Sequence, residues 1–289
     1  MIMTKVMVTG CNGQLGRALK KLYDADPGYT YLGTDVGELD ITDLCAVKAY
    51  VAEEAPDVIV NCAAATNVDG CEKDTDLAFR INAIGPRNLA IAAKEYHAEL
   101  VHISTDYVFS GETADAPRNE FDTVGPKSAY GRTKLAGEEF VRAFADRYYI
   151  IRTAWLYGEG KNFVKTMLAI AENHDRVSVV DDQLGNPTSA MELARAIYRL
   201  IPTGAYGLYH GTCEGICSWA DFAEEIFSLA GKNVSVERIS SEEYKKRFPE
   251  SASRPAYSAL DNMMFRLGTD IRFAEWKDAL REYLVGLVG

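Results

Sequence analysis

Six short apolar, β-branched runs recur along the chain with helical patterns between them: KVMVTG (5–10), YTYLGTD (29–35), DVIVNCAA (57–64), LVHISTD (100–106), YYIIRTAW (148–155) and RVSVVDD (176–182). Strands that are apolar almost throughout need both faces covered, so this alternation predicts a parallel sheet wrapped by helices. The intervening segments, such as QLGRALKKLYDA and DLAFRINAIGPRNLAIAAKEY, carry apolar residues at helical spacing with charges between them. The expected fold is α/β, a doubly wound (Rossmann) parallel sheet whose ligands sit at the carboxyl ends of its strands. After about residue 155 the alternation loosens into loops rich in Gly, Pro, Asn and Tyr, between helices such as SWADFAEEIFSLAG and AEWKDALREYLVGL. The sheet domain is therefore placed at residues 1–155, with a smaller C-terminal lobe over 156–289 interleaved with it.

Charge and cysteine usage narrow the classes of partner. A formal net charge of -11 argues against nucleic acid, whose binding face needs clustered Lys and Arg, but leaves room for a small anionic ligand. No run approaches 18 uncharged apolar residues and the first strand begins almost at Met1, so a cytoplasmic chain without membrane spans is expected. Cysteines 11, 45, 62, 71, 213 and 217 lack Cys-x-x-Cys spacing, and histidines 97, 102, 174 and 210 lack metal-ligand spacing. Reduced thiols and no metal site follow as expectations.

The strand ends carry the chemistry. The first strand runs into VTGCNGQLGRAL, where Gly10, Gly13 and Gly16 form Gly-x-x-Gly-x-x-Gly at a strand-to-helix turn. Glycines there let the backbone approach a pyrophosphate, which the free N–H groups of the helix N-terminus attract. The second strand ends in Asp35, nineteen residues beyond Gly16, where a carboxylate can bind the hydroxyls of an adenosine ribose and repel a 2′-phosphate. Small residues Ala63, Ala64 and Ala65 leave space for a cofactor over the sheet edge, and Ser104, Thr105 and Asp106 put polar groups beside it.

In SAYGRTKLAGE (128–138), Tyr130 and Lys134 stand four apart at the expected start of a helix, hence on one face. An ammonium beside a phenol favours the phenolate, so Lys134 is expected to lower the Tyr130 pKa toward neutrality. A chain this rich in Tyr and Lys yields the spacing by chance roughly once, so spacing alone is weak evidence. A second copy, Tyr157 and Lys161, is interrupted by Gly158 and Gly160, which disfavour a helix.

Gly10-x-x-Gly13-x-x-Gly16, Asp35, LDITD (39–43), Asn82-x-x-Gly85-x-x-Asn88-Leu89, STDYVF (104–109) and Tyr130-x-x-x-Lys134 together resemble the extended short-chain dehydrogenase/reductase superfamily. NCAAATNVD, STDYVF, SAYGRTKLAGE, RTAWLYG and DQLGNPTS are more narrowly similar to the dTDP-4-dehydrorhamnose reductase family, and the likeness spans essentially the whole chain. The resemblance implies hydride delivery from NAD(P)H, NADH being preferred on account of Asp35, to carbon 4 of a dTDP-4-keto sugar. It implies Tyr130 as proton donor, Lys134 tuning it and holding the nicotinamide ribose, and Thr105 hydrogen-bonding the carbonyl oxygen. It adds Asn12, Gln14, Leu15, Asp40, Ile41 and Asn82 to the cofactor contacts, and makes residues 1–155 the NAD(P)-binding domain and 156–289 mainly the substrate-binding lobe.

Substrate contacts come from scattered positions. Thr105 and Asp106 lie at the strand edge; Gln183 and Asn186, with Thr188, either close the cleft between the lobes or simply form a turn around Pro187. Trp155 either covers a sugar or base or fills core. Arg254 is a candidate diphosphate clamp or a solvated loop arginine. Some members of the family bind Mg²⁺ at a dimer contact through glutamates. This chain has Arg17 and Ser189, Ala190 and Met191 where such acids are expected, with Glu192 out of register, so no metal is expected. A monomer or a homodimer is left open. So are another nucleotide-sugar 4-ketoreductase, an epimerase, and a non-catalytic regulatory subunit of the same fold.

Overall fold

The computed structural model describes residues 3–252 and 254–288. Its first half alternates strand and helix: β1 (Thr4–Thr9), α1 (Gln14–Asp24), β2 (Tyr29–Thr34), α2 (Leu44–Glu54), β3 (Val58–Asn61), α3 (Val68–Lys73), α4 (Thr75–Phe79), α5 (Gly85–Glu95), β4 (Glu99–Thr105), α6 (Ala129–Phe144) and β5 (Tyr148–Thr153). A π turn over Arg80–Ile84 joins α4 to α5, where the sequence pattern read as one helix. The second half contains β6 (Leu156–Tyr157), α7 (Phe163–Ile170), β7 (Arg176–Val180), β8 (Leu184–Gly185), β9 (Thr188–Ser189), α8 (Ala190–Leu200), β10 (Gly207–His210), β11 (Cys217–Ser218), α9 (Trp219–Leu229), β12 (Ser235–Ile239), α10 (Ser241–Arg247), α11 (Met263–Gly268) and α12 (Trp276–Val288).

The main sheet has six strands in the order β10-β5-β4-β3-β1-β2, every neighbour parallel. Period-two alternation divides its side chains between two cores. Val6, Val8, Val58, Val60, Val101, Tyr149 and Ile151 pack with Leu15 and Leu19 of α1 and Leu193 and Ile197 of α8. Met7, Ile59, Leu100 and Ile150 face the other way, onto Val47 and Val51 of α2, Leu89 and Ala93 of α5, and Val141 of α6. Both faces are covered, as strands without a polar side require. A third core, with Val164, Met167, Phe222, Ile226, Trp276 and Leu280, belongs to α7, α9 and α12.

The chain leaves β1 toward β2 on one side and reaches β3 on the other. The loops after β1 and β3 therefore diverge and open a crevice at the carboxyl edge, the usual ligand position in such sheets. One sequence expectation needs correction. The run at 176–182 does form a strand, but β7 pairs in parallel with β12 outside the main sheet. Only its last two residues, Val179 and Val180, are buried, so it does not need the two-sided cover that a central strand has. The sixth strand of the sheet is β10, a four-residue edge added to β5.

Helix α6 buries an unusual face: Ala129, Gly131, Thr133, Lys134, Gly137, Glu138 and Val141. Ser128 caps it by accepting a hydrogen bond from the Gly131 N–H, which fixes where the helix starts. At Gly137 the backbone of the π turn comes so close that a Cβ would lie 2.3 Å from the Asn82 carbonyl oxygen. Gly137→Ala should therefore destabilise the protein by about 1–3 kcal/mol in urea denaturation, through overpacking. Gly286→Ala in α12, where a Cβ meets nothing within 4 Å, should instead gain about 0.5–1 kcal/mol from helix propensity. Equal effects at the two positions would show that the close approach at Gly137 imposes no constraint.

Candidate active site

A cavity of about 1170 Å³ runs along the carboxyl edge of the sheet and continues between α7, β7, α9 and α10. At one end, β1 turns through Gly10 with φ +65° into α1. A side chain at Gly10 would be strained there, and its Cβ would lie 2.7 Å from the Ala63 nitrogen. Gly13 is the N-cap of α1 and offers no side-chain acceptor, so the N–H groups of this eleven-residue helix's first turn are left for a ligand. Gly13, Gln14 and Leu15 line the cavity there, while Gly16 lies inside α1, packed against the Gly10–Cys11 turn. These features suit a diphosphate.

Asp35 also lines the cavity, with one carboxylate oxygen accepting the Asn12 N–H at 3.2 Å. Asn12 is exposed and outside the lining; its carbonyl accepts from Arg17 Nε at 2.8 Å. Asp40, Ile41, Ala63 and Ala64 form the adjoining wall. The Asn-x-x-Gly-x-x-Asn motif stands behind this wall. Asn82 is fully buried, accepts the Ala65 N–H at 2.8 Å, and donates to the Ala65 carbonyl and to Thr133 Oγ1, each at 3.1 Å. Asn88 donates to the carbonyls of Ile41 and Thr42, each at 3.0 Å. Of the residues read from sequence as cofactor contacts, Ala65 and Asn82 are thus placed in the wall's support and not in its lining.

Thr105, Asp106, Tyr130 and Lys134 meet in the middle of the cavity and are all buried or nearly so. Thr105 Oγ1 donates to Asp106 Oδ1 at 2.9 Å, and the other Asp106 oxygen has no hydrogen-bond partner among the described residues. Burial pushes Asp106 up to about 6, against the opposing effect of the neighbouring Ser258 and Thr105 hydroxyls. Burial also pushes the Tyr130 phenol well above its ordinary value; a hydrogen bond with Thr105 opposes this and Asp106 adds to it. The net effect is opposite to the expected lowering by Lys134. The lysine's Nζ is directed at the Ile103 carbonyl, 2.6 Å away, and burial of the phenolate prevails.

Trp155 follows β5 with φ 47°, in the left-handed region that non-glycine residues rarely adopt. Its indole stacks on Trp219 with ring centroids 3.7 Å apart and planes 9° apart, and both line the cavity. Gln183 lines it as well while donating to Ser241 Oγ at 2.9 Å. Arg254 lines it too, 3.6 Å from the Asp69 carboxylate. Asn186 is not brought to the cavity: its side chain donates to the Gly215 carbonyl at 2.6 Å and accepts the Leu260 N–H at 2.8 Å, tying loops together. Of the second Tyr/Lys pair, Tyr157 is buried in β6 and Lys161 precedes α7, so no helix joins them. Glu192 accepts from Arg195 at 2.7 Å and from the Ala274 N–H at 3.0 Å.

Sequence reasoning missed Trp219, Ser258 and Asp69, whose approach depends on long-range packing. It also missed Glu138, for which there was a signal: it continues the four-residue spacing of Tyr130 and Lys134. Among the described residues no helix is long and apolar enough to cross a membrane.

The whole chain has relatives. A spore coat polysaccharide biosynthesis protein, SpsK, of Bacillus subtilis is 42% identical over 284 residues, 98% of this chain and 97% of that protein. A crystal structure of a dTDP-4-dehydrorhamnose reductase from Clostridium acetobutylicum matches with a TM-score of 0.94 at 52% identity, covering 99% of this chain and 100% of the other. A Bacillus anthracis dTDP-4-dehydrorhamnose reductase in complex with NADP matches with a TM-score of 0.93 at 42% identity, covering 98% and 99%. Residues 3–288 match the family model described as RmlD substrate binding domain, and the chain belongs to that family.

Proposed function

We propose that this chain reduces the 4-keto group of dTDP-4-dehydro-β-L-rhamnose to give dTDP-β-L-rhamnose, using a nicotinamide cofactor and NADH in preference to NADPH. The observation that carries the proposal is the convergence of Thr105, Asp106, Tyr130 and Lys134 on a cavity that also contains the glycine turn and Asp35. The relatives named as dTDP-4-dehydrorhamnose reductases support the same substrate.

When bound, the nicotinamide supplies the hydride. The turn through Gly10 and Gly13 and the first turn of α1 would take the diphosphate, and Asp35 the adenosine ribose. Lys134 would hold the nicotinamide ribose. Thr105, turning its one hydroxyl hydrogen away from Asp106, would donate it to the sugar's carbonyl oxygen, and Tyr130 would protonate that oxygen as negative charge develops on it. A raised phenol pKa suits this direction: Tyr130 stays protonated at neutral pH, and an alkoxide is basic enough to take its proton. Asp106, with one oxygen unpartnered, would accept a sugar hydroxyl. The segment after residue 155 would form the substrate lobe, with the Trp155–Trp219 stack, Gln183 and Arg254 around the nucleotide sugar.

Removing the Tyr130 hydroxyl keeps the ring's packing and deletes the proton donor. Tyr130→Phe should lower turnover with the 4-keto sugar at least about a hundredfold while leaving cofactor affinity nearly unchanged. Tyr157→Phe is the matched control, because the Tyr157 hydroxyl is buried without a partner among the described residues and outside the cavity lining; it should keep wild-type turnover. Equal losses in the two variants would overturn the assignment of Tyr130. Wild-type protein that binds NADH but reduces no 4-keto nucleotide sugar would favour a regulatory subunit of the same fold.

Cofactor choice is tested at Asp35. The ratio of kcat/KM for NADH to that for NADPH should exceed one and should fall in Asp35→Ala, since the carboxylate favours ribose hydroxyls and repels a 2′-phosphate. A wild-type ratio below one would contradict the preference.

A further inference from the structure

Tyr130, Lys134, Glu138 and Arg142 follow one another at four-residue steps on α6, a single stripe of the helix. The first two line the cavity; Glu138 lies behind them with no exposed surface. Its carboxylate accepts four hydrogen bonds: from Ser104 Oγ of β4 at 2.6 Å, from Arg152 Nε and Nη2 of β5 at 2.9 and 2.8 Å, and from Arg142 Nη2 at 2.9 Å. Arg152 is backed in turn by the Phe109 ring, 5.1 Å away, and by His210 Nε2 at 3.5 Å. Glu138 thus ties α6 to two strands, β4 and β5, the first of which ends in Thr105.

Lys134 is equally withdrawn from water, and a buried ammonium needs compensation. The groups around it are few. The Ile103 carbonyl on β4 accepts its hydrogen bond at 2.6 Å. Burial pulls Lys134 down to about 8; Glu138 is foremost in opposing this, followed by Cys62. Burial pushes the Cys62 thiol up to about 12, so at pH 7 it carries no charge. His102 on β4, fully buried, is kept neutral by burial and by the charges of Lys134 and Arg142. The Tyr130 phenol is protonated. Burial alone would raise Glu138, but Arg152, Ser104 and Arg142 hold it below the usual carboxylate range. The carboxylate is therefore the negative charge acting on Lys134 at neutral pH among the described residues.

We infer that Glu138 is a positioning residue for the reaction, acting through Lys134: it is the buried counter-charge that keeps this side chain an ammonium, seated between the Ile103 carbonyl and the cofactor ribose. The inference rests on the assignment of Lys134 to cofactor binding. It also gives the Ser104 and Arg152 contacts a role, since they prevent the carboxylate from turning away or taking up a proton.

The sign of the pH effect follows. The Lys134 ammonium is present below about pH 8 and is lost as pH rises through that value. Without the Glu138 charge, burial is opposed less and the loss moves to lower pH, by roughly one to two pH units for a charge one helical turn away at an effective dielectric constant near 20.

Glu138→Gln keeps the shape and one acceptor oxygen. Two readouts require no sugar, so failure of the keto-sugar assignment would not affect them. The ¹³C resonance of Lys134 Cε, identified through its absence in Lys134→Arg, should titrate at least about one pH unit lower in Glu138→Gln than in wild type. NADH affinity should fall by about tenfold at pH 8 and by less than about twofold at pH 6. Because the single variant leaves Arg152 buried without its partner, Glu138→Gln/Arg152→Gln serves as a second variant free of that defect, and its Lys134 should also titrate at lower pH. A folded variant whose Lys134 titrates at the wild-type pH would overturn the inference. So would an affinity loss of equal size at pH 6 and pH 8, which would indicate packing alone.

Discussion

The ion pair between Glu138 and Arg152 is out of water on both sides and joins α6 to β5, while Ser104 joins the same carboxylate to β4. The geometry of the site depends on this junction. Thr105 is at the end of β4 and Tyr130 in the first turn of α6, so their mutual position is only as fixed as the helix is on the sheet. Buried pairs of this kind seldom add net stability over an apolar packing, but breaking one by removing a single partner typically costs about 3–5 kcal/mol. A helix that buries a lysine and a glutamate where apolar side chains would pack more cheaply points to positioning, in agreement with the role assigned to Lys134.

The other end of the cavity follows the same division between contact and support. Glycine at position 10 lets the first turn approach Ala63, and the uncapped start of α1 faces the space so formed. The adjoining wall, with Ala63 and Ala64 beside Asp40 and Ile41, is braced from behind by Asn82 and Asn88, whose side chains satisfy the backbone of Ala65, Ile41 and Thr42. Loop backbone at a ligand site must find hydrogen-bond partners without filling the site. Asparagine can give and accept at once, which suits it to that task.

Much of this was legible in the sequence. The apolar runs gave five of the six strands because strands covered on both faces leave a local signature, and SAYGRTKLAGE was read as the start of a helix, which α6 is. Gly10 and Gly13 were readable because a strand-to-helix turn restricts which residues can stand there, and Asp35 from its place at the end of the second strand. The sixth strand was not: β10 is four residues at an edge, while the stronger run at 176–182 serves a smaller sheet. Asn186 and Asn82 illustrate a different limit. A polar residue in a loop or helical turn has the same sequence signature whether it faces a ligand or braces backbone, and only its partners distinguish the two. The Tyr130 pKa depended on burial, which no spacing reveals. Trp219 stacks on Trp155 from an element 64 residues away in the chain, a proximity that local pattern does not contain.

In the proposed reaction a hydrogen from the cofactor becomes attached to carbon 4 of the sugar, and Tyr130 supplies the proton to its oxygen. The most direct measurement is to supply NADH stereospecifically deuterated at the transferred C4 position together with dTDP-4-dehydro-β-L-rhamnose, and to locate the label in the product by NMR. One deuterium at carbon 4 of dTDP-β-L-rhamnose, formed in step with cofactor oxidation, is the predicted result. Cofactor oxidation with no deuterium at carbon 4, or no oxidation above the rate without sugar, would contradict it.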